Sequence, residues 1–246
     1  MYNLRMISRK VSLLFICVLG LAGLSPVRLK SWAFADSKNH LYNLQGMPYP
    51  LPAKPIPPIL QADLDQDGEA EQLVLESNQA RLISKNGTVW KSPDNWQVAQ
   101  ARLTDLNQDG QIELTMLVWR PFKPWPIDAY LPHGGRIQSF QNAQGFSCHL
   151  ILVGFKGGKY RELWAGSALA EPLHSFSAAD VDGDGDQELV ALESDYSDPE
   201  NAPARSLTFW EWNGFGFTLL KRIPGSFSDF QIETTSGGSI QIVTQR

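Results

Sequence analysis

One short acidic phrase, written three times, most constrains what this 246-residue chain can fold into. It reads Asp63-Leu-Asp65-Gln-Asp67-Gly68-Glu69-Ala70-Glu71, then Asp105-Leu-Asn107-Gln-Asp109-Gly110-Gln111-Ile112-Glu113, then Asp180-Val-Asp182-Gly-Asp184-Gly185-Asp186-Gln187-Glu188. Each copy is D-x-[DN]-x-D-G-x-x-E. Oxygen-bearing side chains at positions 1, 3 and 5, with Gly at 6 for a sharp turn, suit a hard cation such as Ca²⁺. The backbone carbonyl of position 7 (Glu69, Gln111, Asp186) and the carboxylate of position 9 (Glu71, Glu113, Glu188) would complete the shell. The expectation is about three structural Ca²⁺ ions, one per loop.

The last acid excludes an EF-hand, which needs a bidentate Glu at position 12. Position 12 here is Val74, Met116 and Ala191. The segment after each loop is short, apolar and β-leaning: Leu73-Val74-Leu75, Leu114 to Trp119, and Leu189 to Leu192. Each reads as a buried strand.

An acidic loop running directly into a strand resembles the FG-GAP/VCBS type of repeat, found in integrin-α-like β-propellers and many secreted bacterial proteins. The resemblance covers roughly residues 58–246 and implies Ca²⁺ held between the first two strands of a blade. The third copy matches fully. The second has Asn107 in place of Asp, and the first has Gln72 where an apolar residue normally follows the acid.

Behind each loop comes a hairpin signal: Asn86-Gly87, Gly157-Gly158 and Asn213-Gly214. Such dipeptides support the tight turns that match strand twist. Each unit thus reads strand, acidic loop, strand, connection, strand, hairpin, strand, which is a four-stranded antiparallel blade. Asp63 to Asp105 spans 42 residues, an ordinary blade period, whereas Asp105 to Asp180 spans 75. The excess falls at roughly Arg120–Phe146, with a smaller insertion at roughly Ser194–Arg205. Two further strands are expected over Phe227–Ile232 and Ser239–Val243. The fold class is therefore all-β: a propeller-like array of three blades and about half a fourth, where a closed ring usually needs four. The N-terminal arm, through His40–Leu44, could supply the missing strands, or the array is open.

The chain begins like a secretory signal, with Arg5, Arg9 and Lys10 before the apolar run Val11–Leu24 and an A-x-A site at Ala33-Phe34-Ala35. Three outcomes stay open: cleavage after Ala35, an uncleaved anchor, or neither. Cys17 lacks the small preceding residue that a lipoprotein signal needs. Cleavage would remove five of the 21 cations (Arg5, Arg9, Lys10, Arg28, Lys30) and none of the 26 acids, taking the net charge from −5 to −10. Eleven of those acids stand at positions 1, 3, 5 and 9 of the loops, so acidity is concentrated at the expected metal sites. Nucleic-acid binding, which wants a basic stripe, is excluded. Only Cys148 would remain after cleavage, so no intrachain disulfide could form. Residues 36–58 carry Pro48, Pro50, Pro52, Pro55, Pro57 and Pro58, either an extended linker or an arm on the domain. The propeller domain is assigned to 59–246, with its insertion at 120–146.

That insertion is the segment most like a binding element, because long loops on rigid scaffolds often carry function. Trp125, Asp128, Tyr130, His133 and Arg136 are its candidate partner-binding residues. The alternative is that Trp125 and Tyr130 fold back to cap the propeller. No nucleophile elbow, H-E-x-x-H or phosphate loop is present. Two function classes remain. One is an exported, calcium-binding, non-enzymatic scaffold or interaction module that meets a protein or polysaccharide at the cell envelope. The other is an exported carbohydrate-active lyase or hydrolase that uses the 120–146 insertion. The absence of an acid or Tyr/His/Arg set outside that loop favours the first.

Overall fold

Four small sheets stand in a ring, the arrangement of a four-bladed β-propeller. The computed structural model describes residues 33–35, 41–43, 53–123, 130, 139–199, 201–235 and 240–245. First in the chain come β1 (Ala33–Ala35), β2 (Leu41–Asn43) and β3 (Ala53–Pro55). Blade one is β4 (Gln61–Ala62), β5 (Glu71–Glu76), β6 (Gln79–Ser84) and β7 (Gly87–Lys91). Blade two is β8 (Gln97–Thr104), β9 (Glu113–Pro121), β10 (Phe146–Phe155) and β11 (Tyr160–Ala165). Blade three is β12 (Leu173–Ala179), β13 (Glu188–Glu193), β14 (Ala204–Trp212) and β15 (Phe217–Phe227). In each of these, chain order is sheet order and every pairing is antiparallel.

The fourth blade is assembled from both ends of the chain. β16 (Asp229–Thr235) and β17 (Ile240–Gln245) form a hairpin. β1 lies parallel to the outer side of β17, with Phe34 opposite Ile242, and β2 adds antiparallel to β1. β3 pairs antiparallel with the other edge of β16, and Ile56 N donates to Ile232 O at 2.9 Å as the chain moves into blade one. The ring is thus closed by the N-terminal arm, and Leu41–Asn43 lies within the segment expected to do it. Ala53–Pro55, inside the proline-rich stretch, is a strand. So is Ala33–Ala35, the expected cleavage site. Cleavage after Ala35 and closure through β1 therefore exclude each other in one mature protein.

The middle strands read as unbroken apolar runs because both faces are covered. Leu114, Met116 and Val118 of β9 enter the core shared with blade one, beside Leu73, Leu82 and Val98. Leu117 of the same strand faces the other way, into a core with Leu150, Leu152, Phe176 and Ala191. Blades three and four meet at Val190, Leu192, Phe209, Ile232 and Ile242. The Cys148 thiol lies in the second of these cores, where burial pushes its pKa up to about 12, so it behaves as a small apolar residue.

The strand order also fixes which connections share a face. In an antiparallel blade the first and third connections lie at one end and the second at the other. The acidic loops are first connections. The third connections are the tight hairpins at Gly87, Gly157-Gly158 and Gly214, all with positive φ. The second connections, on the opposite face, are Ser77-Asn78 in blade one, residues 122–145 in blade two and 194–203 in blade three. Ser77 and Asn78 both have positive φ (50° and 60°), a two-residue hairpin made without glycine. The large insertion is shorter than expected at both ends. Arg120 pairs with Ser147 and Pro121 with Phe146 in the ladder, and Phe122 N donates to Gly145 O at 2.7 Å.

Candidate metal centres

The three acidic loops fold alike, and the reason is visible atom by atom. The position 1 carboxylate accepts two backbone N–H bonds: Asp63 from Asp67 and Gly68 at 3.1 and 2.9 Å, and Asp105 from Asp109 and Gly110 at 3.1 and 3.0 Å. Asp180 accepts from Gly183 and Gly185. Position 5 (Asp67, Asp109, Asp184) accepts from the N–H of position 7 at 2.9 Å in every copy. The backbone is left-handed at position 6 (φ 91°, 79° and 107°), as the glycine there anticipates. It is left-handed at position 4 as well, at Gln66, Gln108 and Gly183 (φ 62°, 58° and 77°). The phrase gives no general warning of this, since only the third copy has glycine there.

Position 9 is where the loop meets the core. Glu71, Glu113 and Glu188 are 1%, 1% and 2% exposed. In each, one carboxylate oxygen accepts the N–H of position 2: Leu64 at 2.9 Å, Leu106 at 2.9 Å and Val181 at 2.8 Å. Those position 2 side chains are themselves buried, one in each inter-blade core. The acidic loop is therefore pinned to the blade interface by an apolar plug and a buried acid. The plug is legible as an apolar residue at position 2 of every copy.

The arrangement gathers three compact carboxylate groups: Asp63, Asp65 and Glu71; Asp105, Asp109 and Glu113; Asp180, Asp182 and Glu188. Within each, one oxygen per residue lies within 4.8 Å of the others. In the second loop Asn107 Oδ1 accepts from Asp109 N at 3.2 Å, the place Asp65 and Asp182 hold in their loops. The position 7 side chains turn outward. Glu69 pairs with Lys85 of the neighbouring hairpin. Burial first, and then the charges of Asp109 and of Asp186 from the third loop, raise the Asp105 pKa. Like charges this close repel, and a buried carboxylate is costly unless something compensates it. Glu113 Oε2 is buried with no hydrogen-bond partner among the described residues. Burial first, then Asp105 and Asp109, push the Glu113 pKa up to about 8; the same forces raise Glu188 to about 7. Hard divalent cations are chemically suited to these oxygen sets, and the orphaned oxygen of Glu113 fits such an ion.

These shifts set a pH dependence. Because the folded pKa values of Glu113 and Glu188 lie above the ordinary value of 4.5, protonation favours the metal-free fold. That contribution is full below about pH 4.5 and is lost as pH rises through about 7 to 8. Calcium needs both groups ionised, so its uptake expels their protons and strengthens as pH rises over the same window. The gap between melting midpoints in calcium and in chelator should widen from about pH 5 to about pH 8.5. A gap that stays constant across that range would contradict the assignment.

A scan against protein-family models and a search of curated proteins both return no match for this chain.

Outside the loops, a second group of polar side chains is drawn together in β10. Ser147 Oγ lies 2.7 Å from His149 Nε2, and His149 Nδ1 lies 3.0 Å from Gly166 O. These distances fit an Nδ1–H donor to the carbonyl and an Nε2 acceptor for the serine hydroxyl. Both residues are buried, and burial with the nearby Arg120 holds the His149 pKa down to about 4. Arg120 itself lies over the Trp96 ring at 5.9 Å. Of the candidate partner-binding residues, Trp125, Asp128, His133 and Arg136 lie outside the described residues. Tyr130 is 84% exposed, so its ring is not packed onto the sheets. Two tryptophans pack with a phenylalanine in the blades: Trp164, Trp212 and Phe217 meet edge to face at 5.2–5.7 Å.

Proposed function

We propose that the chain is an exported calcium-binding β-propeller, built from repeats of FG-GAP/VCBS type, that acts as a non-enzymatic scaffold or interaction module at the cell envelope. The observation that carries this reading is the buried Glu113 Oε2, without a partner among the described residues, amid the second carboxylate group. Occupied loops would lock neighbouring blades together, because each loop also contributes its position 2 side chain to an inter-blade core. Calcium supplies positive charge to a shell that the chain leaves net negative. The basic and apolar opening of the sequence supports export, and the partner is a protein or polysaccharide met outside the cytoplasm.

Calorimetric titration of calcium into chelator-treated protein tests the metal assignment. About three ions should be taken up, with the second loop weakest, since it offers three carboxylates and ligand charge tunes oxygen sites. Asn107→Asp should tighten that weakest step by about tenfold. An unchanged weakest step would remove the link to Asn107, and no heat at all would remove the calcium reading.

The scaffold part is tested on the opposite face. Replacing residues 123–144 with a short Asn-Gly turn keeps Phe122 and Gly145, which already meet. The shortened protein should fold and take up calcium as before, because surface loops contribute little to closure entropy. Loss of a cooperative melt would show instead that the insertion caps the core.

A further inference from the structure

We propose that the cleft beside the second acidic loop is a calcium-dependent binding site for an acidic sugar, whose carboxylate is held by the loop's cation together with Lys156 and Arg161. The inference rests on calcium occupying that loop. The cleft has a volume of about 590 Å³, within the usual range for small-ligand sites. Asn107, Asp109 and Glu113 of the loop line it, together with Lys156 from the β10–β11 hairpin and Arg161 and Glu162 from β11.

Blade two differs from its neighbours in where its cations are spent. In blade one, Lys85 of the hairpin is paired with Glu69 at position 7 of its own loop. The blade three hairpin, Asn213 to Gly216, carries no cation. In blade two, position 7 is the uncharged Gln111, and neither Lys156 nor Arg161 forms a salt bridge among the described residues. Two uncommitted cations thus face a loop that offers three carboxylates, the Asn107 amide and the Gln111 carbonyl. Ca²⁺ takes six to eight oxygens, so an outside oxygen completes the shell. Glu113, whose buried Oε2 has no partner among the described residues, lines this cleft. A ligand carboxylate satisfies the cation and both basic side chains at once. Sugar hydroxyls match Glu162 as an acceptor, and Ile112 and Leu163 offer apolar surface to a ring's C–H face.

Trigalacturonate is the probe, with its methyl ester as the uncharged control, in about 1 mM calcium or in chelator. Binding should be detectable in calcium, and about tenfold weaker in chelator, with the ester, or with Lys156→Gln/Arg161→Gln. Lys85→Gln, which alters a hairpin cation beside the first loop, should bind as the parent does. Calcium uptake without sugar should be unchanged in both variants. Calcium uptake with no trigalacturonate binding, or binding indifferent to Lys156 and Arg161, overturns this inference and leaves the calcium reading standing. Failure to take up calcium overturns both.

Discussion

Calcium at about 1 mM should raise the melting midpoint by roughly 10 °C over the same protein in chelator. A ligand that binds only the folded state stabilises it by RT ln(1 + [L]/Kd). With a dissociation constant near 10⁻⁴ M, typical of extracellular modules, each loop contributes about 1.4 kcal/mol and three loops about 4 kcal/mol. Each kcal/mol moves the midpoint of a domain this size by roughly 2–4 °C. The gain should appear as a shift of the whole transition, because each loop is tied by its position 2 side chain to a core shared by two blades. Coincident midpoints in calcium and chelator would show that the loops bind nothing. A shift confined to one probe of structure would show that they stabilise only themselves.

The second large effect concerns ring closure. A chain starting at Ser31 keeps β1; one starting at Asp36 loses it and leaves β2 without its partner strand. Three residues of β1 pair with Gln241, Ile242 and Val243. At about 1 kcal/mol net per hydrogen bond, the shorter chain should lose on the order of 3 kcal/mol, or roughly 6–12 °C in midpoint. A chain starting at Ile56 also loses β3, which reduces blade four to a hairpin; isolated hairpins are marginal in water, so its melt should lose cooperativity. Equal melts for the Ser31 and Asp36 chains would remove β1 from the fold and leave Ala33–Ala35 free to be a cleavage site. N-terminal sequencing of exported protein would decide the same question independently.

Local chemistry accounts for what could be read from the sequence. The acidic loops, the strands behind them and the three glycine-bearing hairpins are each specified within about ten residues, by ligand spacing, apolar runs and turn residues. The fourth blade is only half visible in the sequence because its strands come from opposite ends of the chain. β1 lies parallel to β17, so no turn links them and no dipeptide marks the pairing. Its residues also carry a small-residue pattern that reads equally well as a peptidase site. Ser77-Asn78 escapes a reading by turn residues because a left-handed hairpin is usually signalled by glycine, and here Asn78 serves instead. The ends of the long insertion lie further in than spacing implies. Arg120 and Phe146 resemble loop residues, but ladder pairing and the Trp96 ring hold them in the blade. Spacing places the carboxylate groups, but the buried Glu113 oxygen, without a partner among the described residues, arises from the packing of blades that spacing does not encode.

The two ends of the propeller obey different rules of variation. At the end that carries the acidic loops, all three copies keep the same nine-residue length, because each must bring a buried acid back to its own second residue. At the other end the corresponding connections range from Ser77-Asn78 alone to residues 122–145, with the flanking strands paired in register in both cases. One rim is thus fixed in length, and the other tolerates connections of very different length. New sequence can be spliced into that rim at Ser77-Asn78 or within 122–145 without rewriting any residue that a cation would touch, whereas 194–203 is held by Tyr196, whose hydroxyl donates to Leu169 O and accepts from Cys148 N.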